Sequence, residues 1–105
     1  METALRAIVE PRRRQILRLV RDDELSAGEI AAHFDVSRPA VSQHLTILKE
    51  AGLVNERRNG TRRLYRASAE GLAGLKAFLE EFWGERLEAV KNEAEREEKE
   101  HGEGG

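Results

Sequence analysis

Arg38, Ser42, Gln43 and Thr46 fall close together in the chain, and none of them is a nucleophile with a base beside it. They are hydrogen-bonding side chains of the kinds that meet base edges. Gln bonds adenine bidentately, Arg bonds guanine, and Ser or Thr bonds a base or a phosphate. Val41, Leu45 and Leu48 are interleaved with them at helical spacing. If those three face a core, Arg38, Ser42, Gln43 and Thr46 lie nearer the outside. Ser37 precedes them as an N-cap, with Pro39 in the first turn. The free N–H groups at such a helix start also suit a phosphate. Further on, Arg57, Arg58, Arg62 and Arg63 surround Asn59-Gly60. Between Val54 and Arg66 five arginines stand against one acid, a local charge of +4. Such arginines follow a nucleic-acid backbone or enter a minor groove. The same residues have blander readings. A polar helix face can be ordinary solvent cover, and a charged hairpin can simply resist edge-to-edge aggregation. His44 adjoins the apolar side, where it is either packed and backbone-bonded or in contact with a phosphate. Tyr65 is expected to pack within the domain.

Other chemistries find little support. The 105 residues include no cysteine, so disulfides and thiolate metal sites are excluded. There is no Gly-rich phosphate loop and no histidine near a plausible Ser/Asp pair, so an enzyme is not expected. No cofactor is expected either. His33 and Asp35 are close in sequence but lack the two further ligands that tetrahedral zinc wants. No apolar stretch reaches the ~20 residues that span a bilayer. The N-terminal residues lack a secretory apolar core, so the expected location is cytoplasmic, with no membrane partner. The net charge of −2 conceals an asymmetry. Residues 1–66 hold 13 Lys and Arg against 9 Asp and Glu, whereas residues 67–105 hold 5 against 11. A basic body followed by an acidic tail suits a protein whose first part faces phosphates.

The elements that must position these residues are mainly helical. Leu5, Ile8 and Val9 suggest a short first helix. Pro11 opens a second, with Ile16, Leu17, Leu19 and Val20 on its buried side and Arg12, Arg13 and Arg14 in its first turn. Ser26 and Glu29 form a capping box before a short helix carrying Ile30, Ala31 and Phe34. Asp35-Val36 is a tight turn, and Gly52 ends the helix begun at Ser37. Residues 53–58 and 61–66 read as strands joined at Asn59-Gly60, a strong hairpin signal. From about Ala69 to Glu98 the pattern is helical again, at roughly 45 Å if unbroken, with a possible break near Gly84. One domain of residues 1–98 is expected, followed by a disordered tail at 99–105. The glutamate-rich segment 93–98 reads as a solvated helix end. The order helix, tight turn, helix, basic hairpin is that of a winged helix-turn-helix, mainly α with a small β-hairpin.

Several segments resemble the arsenical-resistance repressor (ArsR) family of winged-helix regulators. Glu10-Pro11-Arg12-Arg13-Arg14-Gln15-Ile16-Leu17 is similar to its second-helix motif, and Leu25-Ser26-Ala27-Gly28-Glu29-Ile30-Ala31 to its third helix. Ser37-Arg38-Pro39-Ala40-Val41-Ser42-Gln43-His44-Leu45 and Leu48-Lys49-Glu50-Ala51-Gly52-Leu53-Val54 resemble its recognition helix and first wing strand. Gly60-Thr61-Arg62-Arg63-Leu64-Tyr65 completes the wing. The likeness implies a regulator, repressor rather than activator, that binds double-stranded DNA as a homodimer through paired terminal helices. The apolar residues there are Leu5, Ile8, Leu75, Phe78, Leu79, Phe82 and Trp83. Two recognition helices would then meet a palindrome in successive major grooves about 34 Å apart. DNA contact falls to Ser37, Arg38, Pro39, Ser42, Gln43, His44 and Thr46 in the helix. In the wing it falls to Arg57, Arg58, Asn59, Gly60, Arg62 and Arg63. The metal-sensing members carry cysteines in the third helix or Asp and His along the terminal helices. This chain has neither, so no metal is expected, and an effector would be a small molecule or a protein. Two rival expectations stand beside this one: a winged helix that binds protein instead of DNA, and a metal-responsive repressor with unrecognised ligands.

Overall fold

The second, third and fourth helices each start at a residue whose side chain satisfies one of the first free N–H groups, whereas the first follows Met1 without a side-chain cap. A computed structural model describes residues 1–81. Helix α1 spans Glu2–Val9 and α2 spans Pro11–Asp22. Glu10 caps α2 by accepting from the Arg12 N–H at 3.3 Å. Helix α3 covers Ala27–His33 and α4 covers Arg38–Glu50. Ser26 Oγ accepts from the Glu29 N–H, and Glu29 Oε1 accepts from the Ser26 N–H, each at 3.2 Å, so the expected capping box is complete. Ser37 Oγ accepts from the Ala40 N–H at 3.3 Å. A two-stranded antiparallel hairpin follows, β1 at Val54–Asn59 and β2 at Arg62–Ala67. Leu25 adds a one-residue third strand through paired backbone bonds with Tyr65, at 3.0 and 2.7 Å. Residues 69–81 are helical.

Two compact units divide the chain, residues 1–75 and 76–105. The first holds the helices, the hairpin and their core. Ile16, Leu17 and Val20 of α2, Ile30 of α3 and Val41, Leu45 and Leu48 of α4 are buried together with Leu53, Val54 and Leu64. Full burial of such side chains stabilises the fold by about 1.5–3 kcal/mol apiece. Phe34 is only half-buried, and the Arg12 guanidinium lies 5.0 Å from its ring centroid. Among the described residues of the second unit, 76–81 form helix. Phe82, Trp83, the break near Gly84, the helix to Glu98 and the tail at 99–105 lie outside the described residues. Among the described residues no helix is long and apolar enough to cross a membrane.

The hairpin turn is not where the Asn-Gly pair suggests. Asn59 pairs with Arg62, so Gly60 and Thr61 are the central residues and each strand sits one residue further along than expected. Of the turn residues Asn59, Gly60 and Thr61, only Gly60 has positive φ, +66°. A turn centred on Asn59-Gly60 would need positive φ at both. Glycine at the first central position instead meets the φ requirement of a type II′ turn.

Candidate nucleic-acid interface

The packing of α4 decides which of its side chains are free. Val41, Leu45 and Leu48 point into the core with at most 1% exposure. Ser37, Arg38, Pro39, Ser42, Gln43 and Thr46 are exposed, as the spacing requires. Among the described residues Gln43 makes no side-chain hydrogen bond, whereas the Thr46 hydroxyl donates to the Ser42 carbonyl at 3.0 Å. Ser26, Ala27, Arg38, Ser42, Thr61, Arg62, Arg63 and Tyr65 line a polar groove of about 390 Å³. The groove brings the start of α4 alongside the hairpin, within one packed unit.

His44 stands apart from the other expected contacts. It is half-buried, and its Nδ1 accepts from Arg13 Nε of α2 at 3.3 Å. Burial, then the neighbouring Arg13 charge, holds its pKa below the usual histidine value, with Glu10 opposing and Arg12 assisting. Arg13 also donates to the Ala7 carbonyl at 3.2 Å. Arg14 donates to the carbonyls of Ile8 at 2.6 Å and Val9 at 3.0 Å. These arginines close the carboxyl end of α1, a role with no signature in the local sequence pattern. The Nδ1 edge of His44 therefore joins α2 to α4 and does not face outward with Gln43.

The wing arginines are sorted by the hairpin register. Glu56, Arg58, Arg63 and Tyr65 share one face, and Arg57, Leu64 and Arg62 share the other. Arg57 binds Glu24 bidentately at 2.5 and 3.0 Å. That bond is the main reason the Glu24 carboxyl sits below its ordinary pKa and the Arg57 guanidinium above its own. Arg62 donates to the Glu29 carboxylate. The bond from the Ser26 N–H lowers Glu29 most, with Ser26 Oγ and Arg62 adding to it. Glu56 gathers Lys49 Nζ at 3.4 Å and Arg63 Nε at 4.0 Å. Burial alone would raise Glu56, but Lys49, Tyr65 and Arg63 outweigh it and the net shift is downward. Burial, then Glu56, raises Tyr65. Among the described residues Arg38 and Arg58 have no carboxylate partner. Asn59 and Gly60 are exposed at the tip. Glu24 and Glu29 each lie 33 residues from their arginines, so local pattern gave no signal of these two pairs.

Of the expected dimer contacts, Leu5 and Ile8 are half-buried on α1, and Phe78 and Leu79 are half-buried in the helix of the second unit. Leu75 is already 6% exposed within its own chain. Its side chain therefore leaves little surface for a partner. Phe82 and Trp83 lie outside the described residues. Among the described residues no three His, Asp or Glu side chains are grouped to hold a metal ion.

The family described as "Bacterial regulatory protein, arsR family" matches residues 10–56, from the cap of α2 through the first half of β1. The chain is similar to HTH-type transcriptional regulator Rv2034 of Mycobacterium tuberculosis. They are 44% identical over 86 residues, which are 82% of this chain and 80% of that protein. It is 43% identical over 60 residues to the transcriptional repressor SdpR of Bacillus subtilis, covering 57% of this chain and 67% of SdpR. A solved structure, the homodimeric winged helix-turn-helix DNA-binding domain of Mb0332 from Mycobacterium bovis, superposes with a TM-score of 0.66 and 35% identity. That match covers 82% of this chain and 80% of that one.

Proposed function

The chain belongs to the arsR family of bacterial regulatory proteins, DNA-binding transcription regulators built on a winged helix-turn-helix, and from that premise we propose that it is a cytoplasmic repressor that binds a palindromic operator as a homodimer. One observation supports this most: α4 presents Arg38, Ser42, Gln43 and Thr46 outward and flanks a polar groove whose other wall is the arginine-bearing hairpin. A helix of this size fits the major groove with its first turns at base edges. Ser37, Arg38, Pro39, Ser42, Gln43 and Thr46 take the recognition role. Arg58, Asn59, Gly60 and Arg63 take the backbone at the wing, with Arg57 and Arg62 held beside them by Glu24 and Glu29. Repression is supported by the likeness to SdpR, and pairing by the likeness to the homodimeric Mb0332 domain.

A gel shift on the protein's own promoter, repeated at rising salt, tests the binding. Specific binding should weaken steeply as salt rises, because each neutralised phosphate releases counterions. Transcription from that promoter in a reconstituted system should fall on addition of protein. Equal binding to every duplex, or none at low ionic strength, would reject the assignment. A rise in transcript would reject repression alone.

A further inference from the structure

The exposed side of α4 is not uniformly polar. Ser42, Gln43, Thr46 and Ile47 line a shallow concavity whose surface is mainly apolar, on the side of the helix that the core leaves free. Its chemistry is set by how Thr46 is held. The Thr46 hydroxyl donates to the Ser42 carbonyl one turn back, so its proton is committed to the helix. The methyl group is then what Thr46 offers outward, next to Ile47 and three residues beyond the free amide of Gln43. Side chains three and four apart on a helix are neighbours, so Gln43, Thr46 and Ile47 form one patch.

We infer that Thr46 reads the C5-methyl group of a thymine, with Ile47 extending the contact, next to an adenine taken by Gln43. The inference rests on α4 being the recognition helix. In the major groove thymine presents O4 and a methyl group, and a threonine methyl packs against the latter. A Gln amide matches adenine N6 and N7. Both features address A·T pairs, so each half-site contains adjacent A·T pairs. The other wall of α4 faces the arginine-lined groove and has no comparable apolar patch.

The test uses the full chain. Rounds of selection from a random duplex library give a consensus. Each thymine of that consensus is then replaced singly by deoxyuridine, which deletes the methyl alone. One position per half-site should lose roughly fourfold in affinity, the effect of a buried methyl-sized group. Thr46→Val keeps the methyl and, whatever its overall affinity, should show the same fold-loss on deoxyuridine replacement as the wild type. Thr46→Ser keeps the hydroxyl and should be indifferent to it. The idea is overturned if no deoxyuridine weakens the wild-type protein, a result that needs no variant to fold. It is equally overturned if Thr46→Ser keeps the sensitivity, or if Thr46→Val loses it. Failure of the underlying reading looks different: no consensus emerges from the library at all.

Discussion

Arg57 and Arg62 occupy the same hairpin face, and each is already paired with an acid, Glu24 and Glu29 respectively. An arginine engaged this way contributes less to phosphate binding than its charge suggests, because contact with DNA must compete with the carboxylate. Glu29→Gln isolates the effect. Glutamine can keep the capping-box role, since that motif accepts either side chain, but it carries no charge to hold Arg62. Affinity for random duplex at low salt should rise roughly twofold to fivefold, in keeping with the modest worth of exposed ion pairs, with the thermal midpoint little changed. Filter binding at two ionic strengths would read it, and unchanged binding would mean that Arg62 does not reach DNA. His44 makes a different prediction. Its folded pKa lies below the usual 6.5 through burial and the Arg13 charge, partly opposed by Glu10. The unfolded chain therefore binds the proton more readily in the window just below that value. Stability should fall as pH drops through it and be level above it. Urea titrations of the wild type and His44→Asn across pH 5.5–7.5 should differ in this slope, because asparagine offers Arg13 an acceptor that does not titrate.

Helix α4 is held at its far end by an arrangement of two glycines. The Gly52 N–H bonds the Lys49 carbonyl at 3.0 Å and the Leu53 N–H bonds the Leu48 carbonyl at 2.9 Å, with Gly52 at φ +77°. This is a Schellman ending, and the fully buried Leu48 and Leu53 supply its apolar contact. The helical run from residue 69 then crosses so closely that a Cβ on Gly71 would sit 1.9 Å from the Gly52 carbonyl oxygen. Gly52→Ala should cost about 1–2 kcal/mol, the strain of a left-handed residue with a side chain. Gly71→Ala should cost about 2 kcal/mol or more, because backbone must move to admit it. Urea unfolding followed by circular dichroism would measure both, and a neutral Gly71→Ala would show that the two segments are further apart. The sequence disclosed the first of these features and not the second. Caps at Ser26 and Ser37, the stop at Gly52 and the inward set Val41, Leu45 and Leu48 are local, with causes lying within a turn or two. The Gly71 crossing, the third-strand bridge of Leu25 to Tyr65 and the acid partners of Arg57 and Arg62 join residues far apart in the chain. The turn at Gly60-Thr61 was misplaced for a related reason: hairpin register answers to the packing of Leu64 and Val54 as well as to the turn residues.

At the scale of the whole molecule, the proposed dimer has to gather two weak contacts into one strong one. A single α4 reaches only a few base pairs, and one half-site of that size gives little discrimination against the many competing sites of a genome. Joining two such helices makes the second contact intramolecular and can raise affinity by about 10²–10⁴ without any new contact. The described surface offers a place for the joint. On α1, Leu5 and Ile8 are only half-buried and Val9 is 74% exposed, and Met1 just before the helix is 51% exposed. Leu5→Glu with Ile8→Glu would set charge against charge across a two-fold interface, where each patch meets its own copy. Sedimentation should then report a monomer, and operator affinity should fall by about a hundredfold or more. Binding to random duplex at low salt should change much less, since it depends on the arginines of each chain separately. Circular dichroism would show whether the variant keeps its helices. A folded variant that still sediments as a dimer would move the joint off α1, and a folded monomer with undiminished operator affinity would mean that one chain suffices.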